Sequence, residues 1–336
     1  MRKMAFIELF ISVLLISSCD ILRIPEINSI PDHLLLTNNS LELIWNRNDI
    51  HVIIDNHRPM MISAPGLIIV EGIMANNIFP AIFALDSNTG KLIWKIPGVI
   101  GGDNIIVQDN VLYRAVIGNA EVIAYDLKNG KQLWSKLLLG GHSPMDLYSS
   151  DKKIFVYTNN DLFFVLNNSG EILDRVHSTS RIFLEIGETL FLQDGFIFKA
   201  INLPSNSELW NLEIDNVIFH APIFEDGLIF FDTLINPRRI YSIDEATGQL
   251  KWESDEKTLS NLWVMGEKLL FISSEGYLTG LYKNSGDEIF KISFSPNFEL
   301  RSNISEYYVT GDVTTDIVAI SFGDNYQIMA LKLAKP

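Results

Sequence analysis

Few residues in this chain have types and spacings that suggest chemistry. His51, Asp55 and His57 lie close together. At separations of four and two they would share one face of an extended strand, and two imidazoles with a carboxylate form a metal-ligand set. No fourth ligand can be nominated, and Arg58-Pro59 follows at an expected turn, so surface positions are the better reading. Asp312, Asp316 and Asp324 with Asn325 offer oxygen ligands of the kind calcium takes, but their spacing matches no calcium loop, and a solvated loop is expected. Arg238-Arg239, near Asp232, could grip a carboxylate or phosphate. Decoration of a loop is the simpler expectation. Gly101-Gly102 and Gly140-Gly141-His142 are not followed by the Lys-Ser/Thr of a phosphate loop, and they read as places where backbones crowd near an axis. No Ser-His-Asp ordering or nucleophile elbow is present. No residue is therefore assigned a catalytic, cofactor-binding or metal-binding role, and no cofactor is expected.

The one cysteine, Cys19, reads differently. Arg2-Lys3 is a short basic start, Met4–Ile16 is apolar apart from Glu8 and Ser12, and Ser17-Ser18 precedes the cysteine. This is the layout of an export signal too short to span a membrane as a stable helix. The small-small-Cys ending resembles a bacterial lipobox, whose cysteine becomes a lipidated N-terminus. The expectation is a signal peptide at 1–18, lipidation at Cys19 and a tether over 19–37, with two prolines and no period. One cysteine can form neither an internal disulfide nor a thiolate zinc cluster.

The remaining 38–336 must carry the fold. The chain has 336 residues, 47% apolar and 20% charged, a globular composition. Its net charge of −15 repels phosphate backbones, so nucleic acid is not an expected partner.

An eleven-residue pattern recurs along it. Ala84-Leu-Asp86-Ser-Asn-Thr-Gly90-Lys-Leu-Ile-Trp94 is echoed from Ala124 through Asp126 and Gly130 to Trp134, and from Ser242 through Asp244 and Gly248 to Trp252. Weaker copies end at Trp210 and Phe290, and the most decayed ends at Asp174. With Trp45, these anchors are spaced by 49, 40, 40, 36, 42 and 38 residues, a period that means a solenoid or propeller. The aspartate can accept backbone N–H groups as an Asx-turn, and Thr-Gly supplies the tight turn, so each copy is a hairpin between two strands. Further short apolar strands precede each hairpin, for example Leu67–Val70, Lys153–Tyr157 and Leu228–Phe231. About four strands per repeat make one propeller blade. The bulky aromatic is expected to fill the wedge between neighbouring sheets.

The ends are complementary halves. Tyr326–Leu333 is the first half of the hairpin and Leu41–Trp45 the second half. The prediction is an all-β, seven-bladed β-propeller of four-stranded antiparallel blades, closed by N- and C-terminal strands sharing one blade. Such closure removes free sheet edges.

The pattern Ala-x-Asp-x-x-Thr-Gly-x-x-x-Trp resembles the quinoprotein (PQQ-like) repeat over residues 41–333. One branch of that family, the PQQ-dependent dehydrogenases, implies eight blades, a longer chain, a disulfide of adjacent cysteines and a bound metal, and this chain departs on the first three. The other branch, BamB-type outer-membrane assembly lipoproteins, implies lipid anchoring and a non-catalytic scaffold, although with eight blades. The resemblance to that branch implies an extracytoplasmic, lipid-anchored propeller that is not an enzyme. Its partners would be envelope proteins of unknown identity, with the membrane reached through Cys19. The alternatives are a dehydrogenase-like quinoprotein and a propeller that senses a glycan or small ligand in its central channel.

Overall fold

The computed structural model describes residues 41–333 except 53–60, 75–76, 78, 99–102, 117–118, 139–143, 151, 159–161, 178–179, 234–238, 294–306, 313 and 323–326. The chain divides into units 1–35 and 36–336, and every described residue belongs to the second. The export segment, Cys19, the tether, Asp55, His57, Arg238, Asp324, Asn325 and both glycine-rich runs (101–102 and 140–142) lie outside the described residues.

Seven antiparallel sheets form a ring of blades, and there is no helix among the described residues. Blade 2 (Asp103–Gln108, Val111–Val116, Glu121–Asp126, Gln132–Leu137) shows the plan: four strands joined in sequence, running from the axis outward. Blade 3 spans Pro144–His177, blade 4 Arg181–Glu213, blade 5 Ile223–Ser254 and blade 6 Trp263–Ser293. Blade 1 departs from the four-strand plan. Its second strand, Leu67–Met74, is paired along the inner edge by two short segments, Met61–Ala64 and Ile50–Val52, in place of one strand. Blade 7 is the mixed one. Leu41–Arg47 pairs antiparallel with Gln327–Leu333, Leu41 opposite Leu333 and Trp45 opposite Ala330, and Ile317–Phe322 and Tyr307–Asp312 complete the sheet. The predicted closure is therefore observed.

The sequence explains the radial order. A middle strand has a blade on each side, so both its faces are buried and it is apolar at successive positions. Ile68-Ile69-Val70 and Ile82-Phe83-Ala84-Leu85 are fully buried runs of this kind. The outer strands keep only alternate buried positions, as in Leu92–Pro97, where Trp94 and Ile96 are the buried ones.

The hairpin turns follow the expected logic. The Asp86 carboxylate accepts from Asn88 N (3.1 Å), Thr89 N (2.8 Å) and Thr89 Oγ1 (2.8 Å), while Gly90 N donates to the Asp86 carbonyl. Asp244 does the same for Thr247, and Asp126 accepts from the backbone of Lys128 and Asn129. Strict alternation fails just beyond each turn, because the ladder carries a β-bulge beside the aromatic, as between Ala84 and Leu85 and between Gln132 and Trp134. One extra residue there rotates the following side chain inward. That is why Leu92 and Ile93 are both exposed ahead of the buried Trp94.

Candidate functional site

The repeat anchors form seams between blades. Each indole N–H donates to a backbone carbonyl in the hairpin turn of the next blade: Trp45 to Ser87 O (2.7 Å), Trp94 to Leu127 O (2.8 Å), Trp134 to Asn168 O (2.8 Å), Trp210 to Glu245 O (2.9 Å) and Trp252 to Lys283 O (2.9 Å). The same ring lies flat over the glycine of that turn. A Cβ on Gly90, Gly130, Gly170, Gly248 or Gly286 would come within 2.6–3.0 Å of it. The wedge is thus an indole clamped onto a bare glycine. Burying one such ring gives roughly 4–6 kcal/mol of gross transfer free energy.

Two seams lack this staple. At blade 3 the aromatic is replaced by Asp174, and the facing turn of blade 4 has Asn206 with φ 51° in place of glycine. The cross-strand partner changes too. Trp94, Trp134, Trp210, Trp252, Phe290 and Trp45 sit opposite Ala84, Ala124, Ala200, Ser242, Gly280 and Ala330, whereas Asp174 sits opposite Val165. Three residues in three places have lost the staple together. Here the seam is held by the Lys153–Glu185 ion pair and by Tyr148 edge-on to Phe183. At blade 6, Phe290 has no N–H to donate, and its ring packs over Gly280 of its own blade.

Polar contacts between neighbouring blades complete the ring. Arg114 donates to Pro97 O (2.8 Å) between blades 1 and 2, and Asn104 to Asp146 (3.0 Å) between blades 2 and 3. Arg181 reaches Tyr148 Oη (3.4 Å) on blade 3 and Ile218 O (3.0 Å) ahead of blade 5. Thr258 donates to Asp232 (3.0 Å) between blades 5 and 6, and Asn261 exchanges two bonds with the Val309 backbone between blades 6 and 7. Asp312 of blade 7 accepts from Gly66 N (2.9 Å) and Ser87 Oγ (2.8 Å) of blade 1, and from Thr314 N (3.0 Å) and Oγ1 (2.6 Å).

These contacts correct one reading of the sequence. Asp312 is a buried latch at the ring closure, not part of a solvated loop. Burial pushes its pKa up, but the four donors outweigh burial and hold it below the ordinary value. Asp232 does not pair with Arg239. It is fully buried and faces His220 Nδ1 at 3.0 and 3.1 Å, and its pKa is lowered in spite of burial by the His220 ring, the His220 N–H and Thr258. Arg239 turns instead to Glu253 and Asp255, both at 3.4 Å. His51 lies in the Ile50–Val52 segment of blade 1. No group of three or more metal-ligating side chains occurs among the described residues.

The inner strands surround an axial channel with a cavity of about 570 Å³, walled by residues of all seven blades. Its wall is mainly apolar and aromatic, with Ile62, Ile106, Leu184, Phe224 and Trp263 each left partly uncovered. The sequence signal for it was weak, because these side chains sit in ordinary strands and only the ring brings them together.

A pyrroloquinoline quinone carries three carboxylates and would need free cations here. Among the described residues the permanent cation of the wall is Arg181, which already donates to protein acceptors, and the His220 ring is taken up by Asp232. The described residues do not fit that cofactor.

The architecture defines a closed, seven-bladed, repeat-built β-propeller with an apolar axial channel. A family model described as outer membrane protein assembly factor BamB matches residues 61–186 and 187–330, and the chain belongs to that family. BamB from Moraxella catarrhalis superposes with a TM-score of 0.54 at 12% identity, over 87% of this chain and all of that one. The β-propeller domain of Cps50 (Swd1) from Myceliophteria thermophila gives 0.60 at 11% identity, over 85% of this chain and 99% of its own. A chain of a mitotic checkpoint complex gives 0.66 at 11%, over 93% and 96%. At these identities the structural likenesses establish the propeller fold alone. No curated protein matches the chain.

Proposed function

We propose that this chain is a non-catalytic, lipid-anchored scaffold of the bacterial cell envelope that binds envelope proteins, as an assembly factor does. Membership of the BamB family supports a protein-binding role. The observation that carries the reading is a set of exposed apolar side chains on three consecutive blades, on the outer strands of blades 2 and 3 and at the turn between the second and third strands of blade 4. Leu133 and Leu137 of blade 2, Leu173 of blade 3 and Phe196 of blade 4 each leave more than half of their surface exposed. Large apolar side chains displayed on neighbouring blades mark a surface made to be covered. Leu173 and Phe196 belong to the two blades that meet at the seam where Asp174 replaces the indole, and there the outer strand Ile172–His177 has no buried position. The acidity of the chain suits a partner with a basic rim around an apolar centre. Cys19 would hold the chain at the membrane, with two or more acyl chains giving stable attachment.

The test is photocrosslinking in native envelopes from Leu137, Leu173 and Phe196, with Tyr282 of blade 6 as the comparison position. A discrete envelope protein should crosslink from the first three, and crosslinking from Phe196 should fall after Leu137→Asp with Leu173→Asp. Cys19→Ser should release the chain from the membrane fraction. Equal crosslinking from Tyr282, or a chain that stays membrane-bound without Cys19, would overturn the proposal.

A further inference from the structure

We propose that the axial channel is a binding site for an uncharged, apolar small molecule with a hydrocarbon or aromatic body. The inference rests on the state of the polar groups in its wall. Ser63 donates to Gly311 O (2.6 Å), and Asn104 donates to Asp146 (3.0 Å). Arg181 is held by Ile218 O, Phe219 O and Tyr148. His220 faces Asp232, Asn261 is tied to Val309, and Asp312 accepts from Gly66, Ser87 and Thr314. Most of the groups that would greet water or a sugar hydroxyl are thus engaged in holding the blades together; Trp263 Nε1 makes no hydrogen bond among the described residues but is itself covered, and Glu225 leans toward Lys283 at 3.8 Å. Burial also pushes the Tyr148 hydroxyl pKa up, so it stays neutral.

What remains for an occupant is apolar: Ile62, Ile106, Leu184, Ile223, Phe224 and the face of Trp263. A polar or charged ligand would lose its hydration there and gain few hydrogen bonds, which opposes its binding. An apolar ligand loses nothing comparable and covers wall surface that the ring geometry leaves bare. The cavity, at about 570 Å³, lies within the usual ~300–1,000 Å³ of small-molecule pockets. The same argument disfavours a glycan, which needs free donors and acceptors.

Two probes test this in the full chain. N-phenylnaphthylamine brightens in apolar surroundings and should bind saturably at one site per chain. Bromodecanol should displace it and quench tryptophan fluorescence. Bromine quenches only near contact, and Trp263 is the tryptophan in the wall, so Trp263→Phe should abolish the quenching while naphthylamine binding persists. Ala221 is exposed and lines the channel, so Ala221→Trp should narrow it without disturbing the core and weaken both probes at least ten-fold. Glucose and pyrroloquinoline quinone should not compete. The outer-wall variant Leu133→Ser with Leu137→Ser and Leu173→Ser should bind both probes as before. Absence of a saturable site would overturn the proposal. So would binding that Ala221→Trp leaves unchanged, binding lost in the outer-wall variant, or displacement by glucose.

Discussion

Replacing Gly248 with alanine tests the clamp between blades 4 and 5 directly. Gly248 has φ +67°, and a left-handed conformation costs an L-residue about 1 kcal/mol. The new methyl would also lie 2.6 Å from Cδ2 and Cε3 of Trp210, a distance no real contact tolerates. The indole must move. It then loses its N–H bond to Glu245 O, about 1 kcal/mol. Re-exposing a third of a ~200 Å² ring costs about 1.5 kcal/mol more at roughly 25 cal/mol/Å². The total is about 3–4 kcal/mol. Gly227, in the preceding turn of the same blade, is the matched control: its φ is +74°, but nothing lies within 4 Å of an added Cβ. Gly227→Ala should cost only about 1 kcal/mol. Urea unfolding with an unchanged m-value measures both. In a Trp210→Ala background the cost of Gly248→Ala should fall to about 1 kcal/mol, because only the backbone term survives. If the two alanine variants agree within about 0.5 kcal/mol, the indole does not clamp that turn and the account of the seams is wrong.

The unstapled seam should accept a graft. Val165→Ala, Asp174→Trp and Asn206→Gly together should stabilise the protein by at least about 1 kcal/mol more than the sum of the single changes, read by the same urea titration. Ring closure should be acid-sensitive. The Asp312 carboxylate has a folded pKa below its ordinary 3.8, so its contribution is complete above pH 3.8 and disappears as pH falls below that value through the lowered pKa. Asp312→Asn should destabilise the protein at neutral pH and flatten that acid limb in thermal melts. Lys283 is nearly buried, with Asp226 at 2.6 Å, Glu267 at 3.7 Å and Glu225 at 3.8 Å. Lys283→Met should lower stability by about 1 kcal/mol in low salt and by less in high salt, because salt screens the repulsion among the three acids.

The amino-acid sequence by itself determined the repeat, the Asx-glycine hairpins, the number of blades and the pairing of Leu41–Arg47 with Gln327–Leu333. These follow from chemistry written over a few neighbouring residues: strand alternation, a carboxylate reaching backbone two or three positions on, and two half-motifs that complete each other. It could not show what each tryptophan touches. The carbonyls that accept their N–H groups lie 31–42 residues further along the chain, and the turn glycine, read as a conformational necessity, is also a steric one under a neighbour's indole. The joint loss at Val165, Asp174 and Asn206 looks like random decay until the ring places the three at one seam. Asp312 resembles one acid among several until closure sets it against Gly66, 246 residues away. The channel belongs wholly to the tertiary structure, because no single repeat encloses it. Its polar groups are taken up by neighbouring blades and its apolar ones face a space that exists only when seven sheets meet.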